Sequence, residues 1–120
     1  MLLLLGGAGI VNIAPVVNAG SDATANVGIA ITLAGSVTDD GLPSGTLTSL
    51  WTQDSGPGTA TFVDATSPTT DVEFDIAGTY VLRLTGDDTA LTAFDTMTVV
   101  VSATMIGGSD WLKWVNLLWH

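Results

Sequence analysis

The sequence predicts an all-β protein, an antiparallel β-sandwich of about seven strands, and three observations carry that prediction. Thr, Val and Ile together make up 36 of the 120 residues, against 14 glycines and a single Glu. β-branched side chains pack well on a pleated surface, whereas Gly weakens a helix interior. Apolar and polar residues alternate in short runs, and clusters of Gly, Pro, Asp and Ser separate those runs at sandwich-like spacing. A chain of this length fits one hydrophobic core, so one domain is expected.

In order, strands are expected at about 15–19, 28–34, 46–53, 59–63, 70–76, 78–86 and 92–102. The second contains Ile29-Ala-Ile-Thr-Leu33, the fifth Val72-Glu-Phe-Asp-Ile76, the sixth Tyr80-Val-Leu-Arg-Leu84 and the last Met97-Thr-Val-Val-Val101. Each sends alternate side chains to one face. Asp39-Asp-Gly-Leu-Pro43, Asp54-Ser-Gly-Pro-Gly58, Ser67-Pro68, Ala77-Gly78 and Gly86-Asp-Asp88 supply turn chemistry between them. Trp51 is central in an apolar strand and is expected to fill the space between the sheets. Tyr80, following Gly78-Thr79 at a strand entry, is expected to bond a nearby carbonyl as in a tyrosine corner. Both are read as structural core.

Composition excludes several functions. Arg83 and Lys113 stand against twelve acidic residues, for a net charge of -10. Two cations cannot neutralise many phosphates, so no nucleic-acid partner is expected, and attachment to an anionic membrane is equally disfavoured. Cysteine is absent and the one histidine is His120, which excludes disulfides, thiolate metal sites, Cys nucleophiles and a Ser-His-Asp triad. The protein is read as a non-enzyme with no obligatory cofactor.

From roughly Asn12 to Ser102 the sequence resembles the polycystic-kidney-disease (PKD) domain, an immunoglobulin-like β-sandwich of surface and secreted proteins. Asn12-Ile-Ala-Pro-Val-Val-Asn-Ala-Gly-Ser-Asp22 is similar to the family's first strand, and Ala34-Gly-Ser-Val-Thr-Asp-Asp-Gly41 to its acidic loop. Ser49-Leu-Trp-Thr-Gln-Asp-Ser-Gly-Pro-Gly58 resembles its Trp-bearing strand, and Ala77-Gly-Thr-Tyr-Val-Leu-Arg-Leu-Thr-Gly-Asp-Asp88 its Gly-Thr-Tyr strand. The resemblance implies a spacer, adhesive or assembly module.

In such a sandwich the loops after the second and sixth expected strands lie at one end, bringing Asp39 and Asp40 towards Asp87 and Asp88. Four carboxylates are hard ligands of the kind calcium takes, which makes calcium the one cofactor considered. The competing reading is that these residues form Asx-turns, and no EF-hand or repeat spacing favours the metal. Asp71, Glu73 and Asp75 alternate with Val72, Phe74 and Ile76, which are expected to face inward. This ladder reads as a solvated strand face rather than a glycosidase pair, because a flat outer face has no pocket to raise an acid's pKa. Phe62 and Phe94 are the aromatic candidates for exposure on the sandwich.

Three regions follow: an apolar N-terminal arm over 1–11, the sandwich over 12–102, and a linker with a short amphipathic helix over 103–120. Leu2, Leu3, Leu4 and Leu5 precede glycines. With no basic residue ahead of the run and Gly6-Gly7 breaking it, the arm is expected to be retained rather than cleaved as a leader, and it is too short to span a bilayer. Ser109 is an expected helix cap, after which Trp111, Leu112, Val115, Leu118 and Trp119 form one apolar side that Trp114 widens. Both tails are expected to bind protein partners, other copies of the chain or a larger assembly. The leading functional expectation is a structural protein of a virus or phage particle, a capsid decoration or tail protein. The alternative is a secreted or cell-surface adhesion or carbohydrate-binding module, stiffened by calcium.

Overall fold

A computed structural model describes residues 11–103. The N-terminal arm, with Leu2 to Leu5, and the Trp-rich segment from 104 onward, with the expected helix, lie outside the described residues. Nine strands run in order: β1 (Val16–Asn18), β2 (Ala23–Asn26), β3 (Ile31–Thr32), β4 (Ser36–Thr38), β5 (Thr48–Ser55), β6 (Ala60–Phe62), β7 (Asp71–Phe74), β8 (Gly78–Asp87) and β9 (Thr92–Ser102). They form a four-stranded sheet ordered β2-β9-β8-β5, a three-stranded sheet ordered β3-β7-β6, and the pair β1-β4.

Two strands escape the sequence pattern, and one changes the topology. β4 is the continuation of β3 beyond Leu33, Ala34 and Gly35, where the chain leaves one sheet to pair with β1. β2 pairs with β9 in parallel, with Ala23 opposite Val99 and Asn26 opposite Ser102, so the sandwich is not wholly antiparallel. The physical reason is that β9 is eleven residues long and its outer edge is open to the returning N-terminal segment. Ala23-Thr-Ala-Asn26 carries too little apolar contrast to announce a strand.

The two sheets enclose one core. The four-stranded sheet contributes Trp51, Tyr80, Leu82, Leu84, Met97, Val99 and Val101, and the smaller sheet contributes Val72 and Phe74, with Leu33 just past β3. Trp51 has 1% of its surface exposed, stacks on Phe62 at 6.2 Å and donates its indole N–H to the Pro68 carbonyl at 3.1 Å. Phe62 is therefore a half-buried core neighbour rather than an exposed aromatic. Tyr80 is fully buried, tilts against Phe74 at 4.7 Å and donates its hydroxyl to the Ile76 carbonyl at 2.7 Å. Ile76 itself does not face inward. β7 ends at Phe74, the chain turns, and Ile76 is 48% exposed. Ile29 is likewise exposed, because β3 is limited to Ile31–Thr32.

Candidate functional site

The acidic end of the sandwich is built from three segments. β8 carries Asp87 and Asp88 into the turn before β9, β4 leads into the loop holding Asp39 and Asp40, and the chain ahead of β1 brings Asn12 and Ile13 alongside. Gly86 makes the approach possible: a Cβ there would stand 2.7 Å from Val37 Cγ1 and 3.0 Å from Val17 Cγ2. β1 and β4 therefore lie directly over the end of β8. The loops meet where the Ser44 and Thr89 hydroxyls sit 3.4 Å apart, and Asp40 Oδ2 accepts the Ile13 amide at 3.0 Å.

Most carboxylate oxygens here are engaged by nearby backbone. Asp39 Oδ2 accepts the Gly41 amide, Asp40 Oδ1 the Leu42 amide and Asp87 Oδ1 the Thr89 amide, at 3.1, 2.8 and 2.7 Å. These are Asx-turns, the competing reading from the sequence. Asp88 Oδ1 accepts both Ala90 and Leu91 amides, at 2.9 and 2.7 Å. Thr89 is held at φ 88°, a left-handed conformation that a β-branched residue adopts only when its surroundings impose it.

A smaller set of oxygens is left over. Asp88 has no accessible surface, and its Oδ2 is buried without a hydrogen-bond partner; the same holds for Asp39 Oδ1 and for both polar atoms of the Asn12 amide. The Asp88 pKa is held below the usual carboxylate range, chiefly by the Leu91 N–H, against the opposing effect of burial. Ala90 N–H and the adjacent Asn12 amide add to the lowering, although Asn12 does not reach hydrogen-bond geometry. Among the described residues no group of three or more His, Cys, Asp or Glu is gathered as a metal-binding set. The buried oxygens at this end without a partner are thus Asp39 Oδ1, Asp88 Oδ2 and the Asn12 side-chain oxygen. Asn12 was not singled out by sequence reading, because an asparagine ahead of a strand carries no metal signature.

Elsewhere the chemistry is sparse. Asp71 and Glu73 project from the three-stranded sheet, Asp71 accepting the Thr32 hydroxyl at 2.6 Å, while Asp75 lies beyond the strand and caps the Thr59 amide at 2.6 Å. The shallow cleft beside them, about 430 Å³, is lined by Val27, Gly28, Thr59, Thr61, Glu73, Phe74 and Asp75. A second cleft of about 430 Å³, between β4 and β5, has no ionisable lining residue. No helix among the described residues is long and apolar enough to cross a membrane.

The strands build an immunoglobulin-like sandwich. A family model described as "K319L-like, PKD domain" matches residues 19–101, and the chain belongs to that family. The solution structure of the PKD domain from the KIAA 1837 protein is similar at 25% identity and a TM-score of 0.57, over 77% of this chain and 90% of that one. The PKD domain of human KIAA0319 superposes with a TM-score of 0.62 at 18% identity, over 86% and 95% of the two chains. A Drosophila N-cadherin fragment, EC1-3, shares the fold at a TM-score of 0.56 and 16% identity. The match covers 84% of this chain but 36% of the cadherin chain.

Proposed function

We propose that this chain is a non-enzymatic, adhesion-type module displayed outside the cell, acting through contacts with other proteins. The observation that supports this reading is the PKD-family sandwich itself, with Trp51 and Tyr80 spent on packing. Membership in this family favours a surface module over the capsid-decoration or tail-protein role expected from the sequence, for which neither fold nor relatives offer support. Antibody labelling of intact and permeabilised producing cells is the test. Labelling confined to permeabilised cells would overturn the reading. In this reading the apolar N-terminal arm, 1–11, and the Trp-rich segment, 103–120, attach the module to its neighbours.

A second element rests on the unpaired oxygens of Asp39, Asp88 and Asn12. Buried polar atoms without partners call for an explanation, and an ion is a standard one. Calcium accepts carboxylate and amide oxygens in flexible geometry, and extracellular modules bind it with dissociation constants of about 10⁻⁴–10⁻³ M. At tenfold excess over such a constant, binding stabilises the fold by about 1.4 kcal/mol, equivalent to a rise in melting temperature of roughly 6–11 °C. Melting in 5 mM calcium and in chelator measures it. The rise should vanish in Asp88→Asn and Asp39→Asn; an unchanged wild-type melting temperature would refute the cation site.

A further inference from the structure

We infer that Asp40–Gly41 is a self-modification site, at which the folded chain converts Asp40 to isoaspartate through a succinimide. This stands apart from the display reading and from the cation, and it needs no partner beyond water.

The reacting pair occurs once. Asp40–Gly41 is the only Asp–Gly step in the sequence, and no Asn–Gly step accompanies it. A succinimide forms when the backbone nitrogen of the next residue bonds to the side-chain carboxyl carbon, and a side chain on that next residue obstructs the closing ring. Asp40 and Gly41 are both exposed, and a Cβ added at Gly41 would meet nothing within 4 Å. The ring therefore has room. Asp39, Asp87 and Asp88, at the same end, precede Asp40, Asp88 and Thr89, each of which carries a side chain.

The fold orders the reacting groups. The Leu42 amide donates to Asp40 Oδ1 at 2.8 Å, an Asx-turn that bends the carboxyl group towards the backbone following it, where the Gly41 nitrogen lies. The Ile13 amide, 27 residues away in sequence, donates to Asp40 Oδ2 at 3.0 Å. Two N–H donors thus face the oxygens on which negative charge gathers as nitrogen adds to carbon. The Gly41 N–H itself donates to Asp39 Oδ2 at 3.1 Å, within the reach required of a general base. Nucleophile, electrophile and base are three consecutive residues.

The chemistry balances with water alone. From protonated Asp40, the Gly41 nitrogen bonds to Cγ while its proton passes to Asp39 Oδ2, which returns one to solvent. The Cγ–O bond breaks, and the departing hydroxyl takes a proton from solvent and leaves as water. Water then adds to the former main-chain carbonyl carbon of Asp40, whose bond to the Gly41 nitrogen breaks as that nitrogen regains a proton. The backbone now runs through the former side chain, with mass unchanged. The Asx-turn and the Ile13 tether both end on the original carboxylate, so isomerisation removes both and frees the chain ahead of β1 from the loop after β4.

The test follows isoaspartate in the full chain, held in chelator near neutral pH for several weeks, beside a peptide of residues 35–47. Isoaspartate is counted by methylation with isoaspartyl methyltransferase and placed by electron-transfer fragmentation. It should accumulate at Asp40 about tenfold or more faster than at any other aspartate, and at least as fast in the folded chain as in the peptide. Asp39→Asn keeps an acceptor oxygen but removes the base. It should slow the folded chain about fivefold or more and leave the peptide within about twofold, a difference that a purely local effect of sequence would not produce. Gly41→Asn, which tolerates the left-handed φ of 87° but adds a side chain, should slow both. A folded chain slower than the peptide, an Asp40 that reacts no faster than other aspartates, or an Asp39→Asn effect equal in chain and peptide would overturn the proposal. The wild-type comparison decides even if a variant fails to fold.

Discussion

Replacing Tyr80 by Phe isolates one bond. The buried ring stays against Phe74, and the phenol oxygen, which donates to the Ile76 carbonyl at 2.7 Å, is removed. That bond closes the turn between β7 and β8, four residues upstream of the tyrosine. A net hydrogen bond of this kind is worth about 1–1.5 kcal/mol, and the unpaired carbonyl keeps the loss from falling lower. For a domain of this size each kcal/mol moves the melting temperature by about 4–8 °C, so Tyr80→Phe should melt about 5–10 °C lower. Equilibrium urea unfolding should show a lower midpoint with an unchanged slope, because the surface exposed on unfolding is the same. Tyr80→Leu, which also empties the space beside Phe74, should cost about 3 kcal/mol or more. The ring contribution then follows from the difference between the two variants. A loss below about 0.3 kcal/mol for Tyr80→Phe would refute the idea that this bond holds the turn. A changed slope would mean that the substitution acts on the unfolded chain instead.

Gly86→Ala pushes a methyl into Val37 and Val17, and overpacking of this kind costs about 1–3 kcal/mol, read as a lower melting temperature. Thr89→Asn keeps the turn but suits the left-handed conformation better, and should raise stability by about 1 kcal/mol in thermal melts. Asp64 and Asp88 both have lowered pKa values, Asp64 chiefly through the Thr66 hydroxyl and Asp88 chiefly through the Leu91 amide. A lowered folded-state pKa gives stability that is present above the unfolded value of about 4 and lost as pH falls through the folded one. Urea midpoints should therefore be flat from these two groups between pH 5 and 8 and fall below pH 4, with a shallower fall in Asp64→Asn and Asp88→Asn. A fragment of residues 11–103 should fold alone, with a cooperative thermal melt, because among the described residues every buried core residue lies between Ala19 and Val101.

Where alternation was strong the sequence located the strands well: β8 and β9 alternate buried and exposed positions along Tyr80–Leu84 and Met97–Val101, as their residues imply. It failed where pairing rather than pattern makes the strand. β2 is built from small residues and depends on the β9 edge, and it is positioned by Asp22 and Asp95, which accept the Thr98 and Ala19 amides at 2.9 and 2.8 Å. Such side-chain anchors span 76 residues of sequence and leave no local signature. Strand ends fail for a related reason: nothing in Val72-Glu-Phe-Asp-Ile76 says that Asp75 will turn to cap Thr59 and pull Ile76 out of register. At the acidic end the four aspartates were visible, but the partition between turn-forming and unpaired oxygens depends on Asn12, which arrives from the far side of β1.

That partition explains how a chain with so few cations tolerates twelve acidic residues. Asp22, Asp39, Asp40, Asp64, Asp75, Asp87, Asp88 and Asp95 each accept a backbone amide, so at least one oxygen of each holds the direction of the chain. Bonds from neutral N–H groups to carboxylates are stronger than neutral pairs and do not need a counter-ion in the fold. Arg83, the one Lys or Arg among the described residues, pairs with Asp54 and lies over Phe94 on the broad sheet. Replacing Asp22 by Asn or Asp95 by Asn keeps an acceptor oxygen and should cost less than Ala at either position, whose loss leaves an amide of β9 or Ala19 unpaired. The acidity is thus an internal device of the loops and edges.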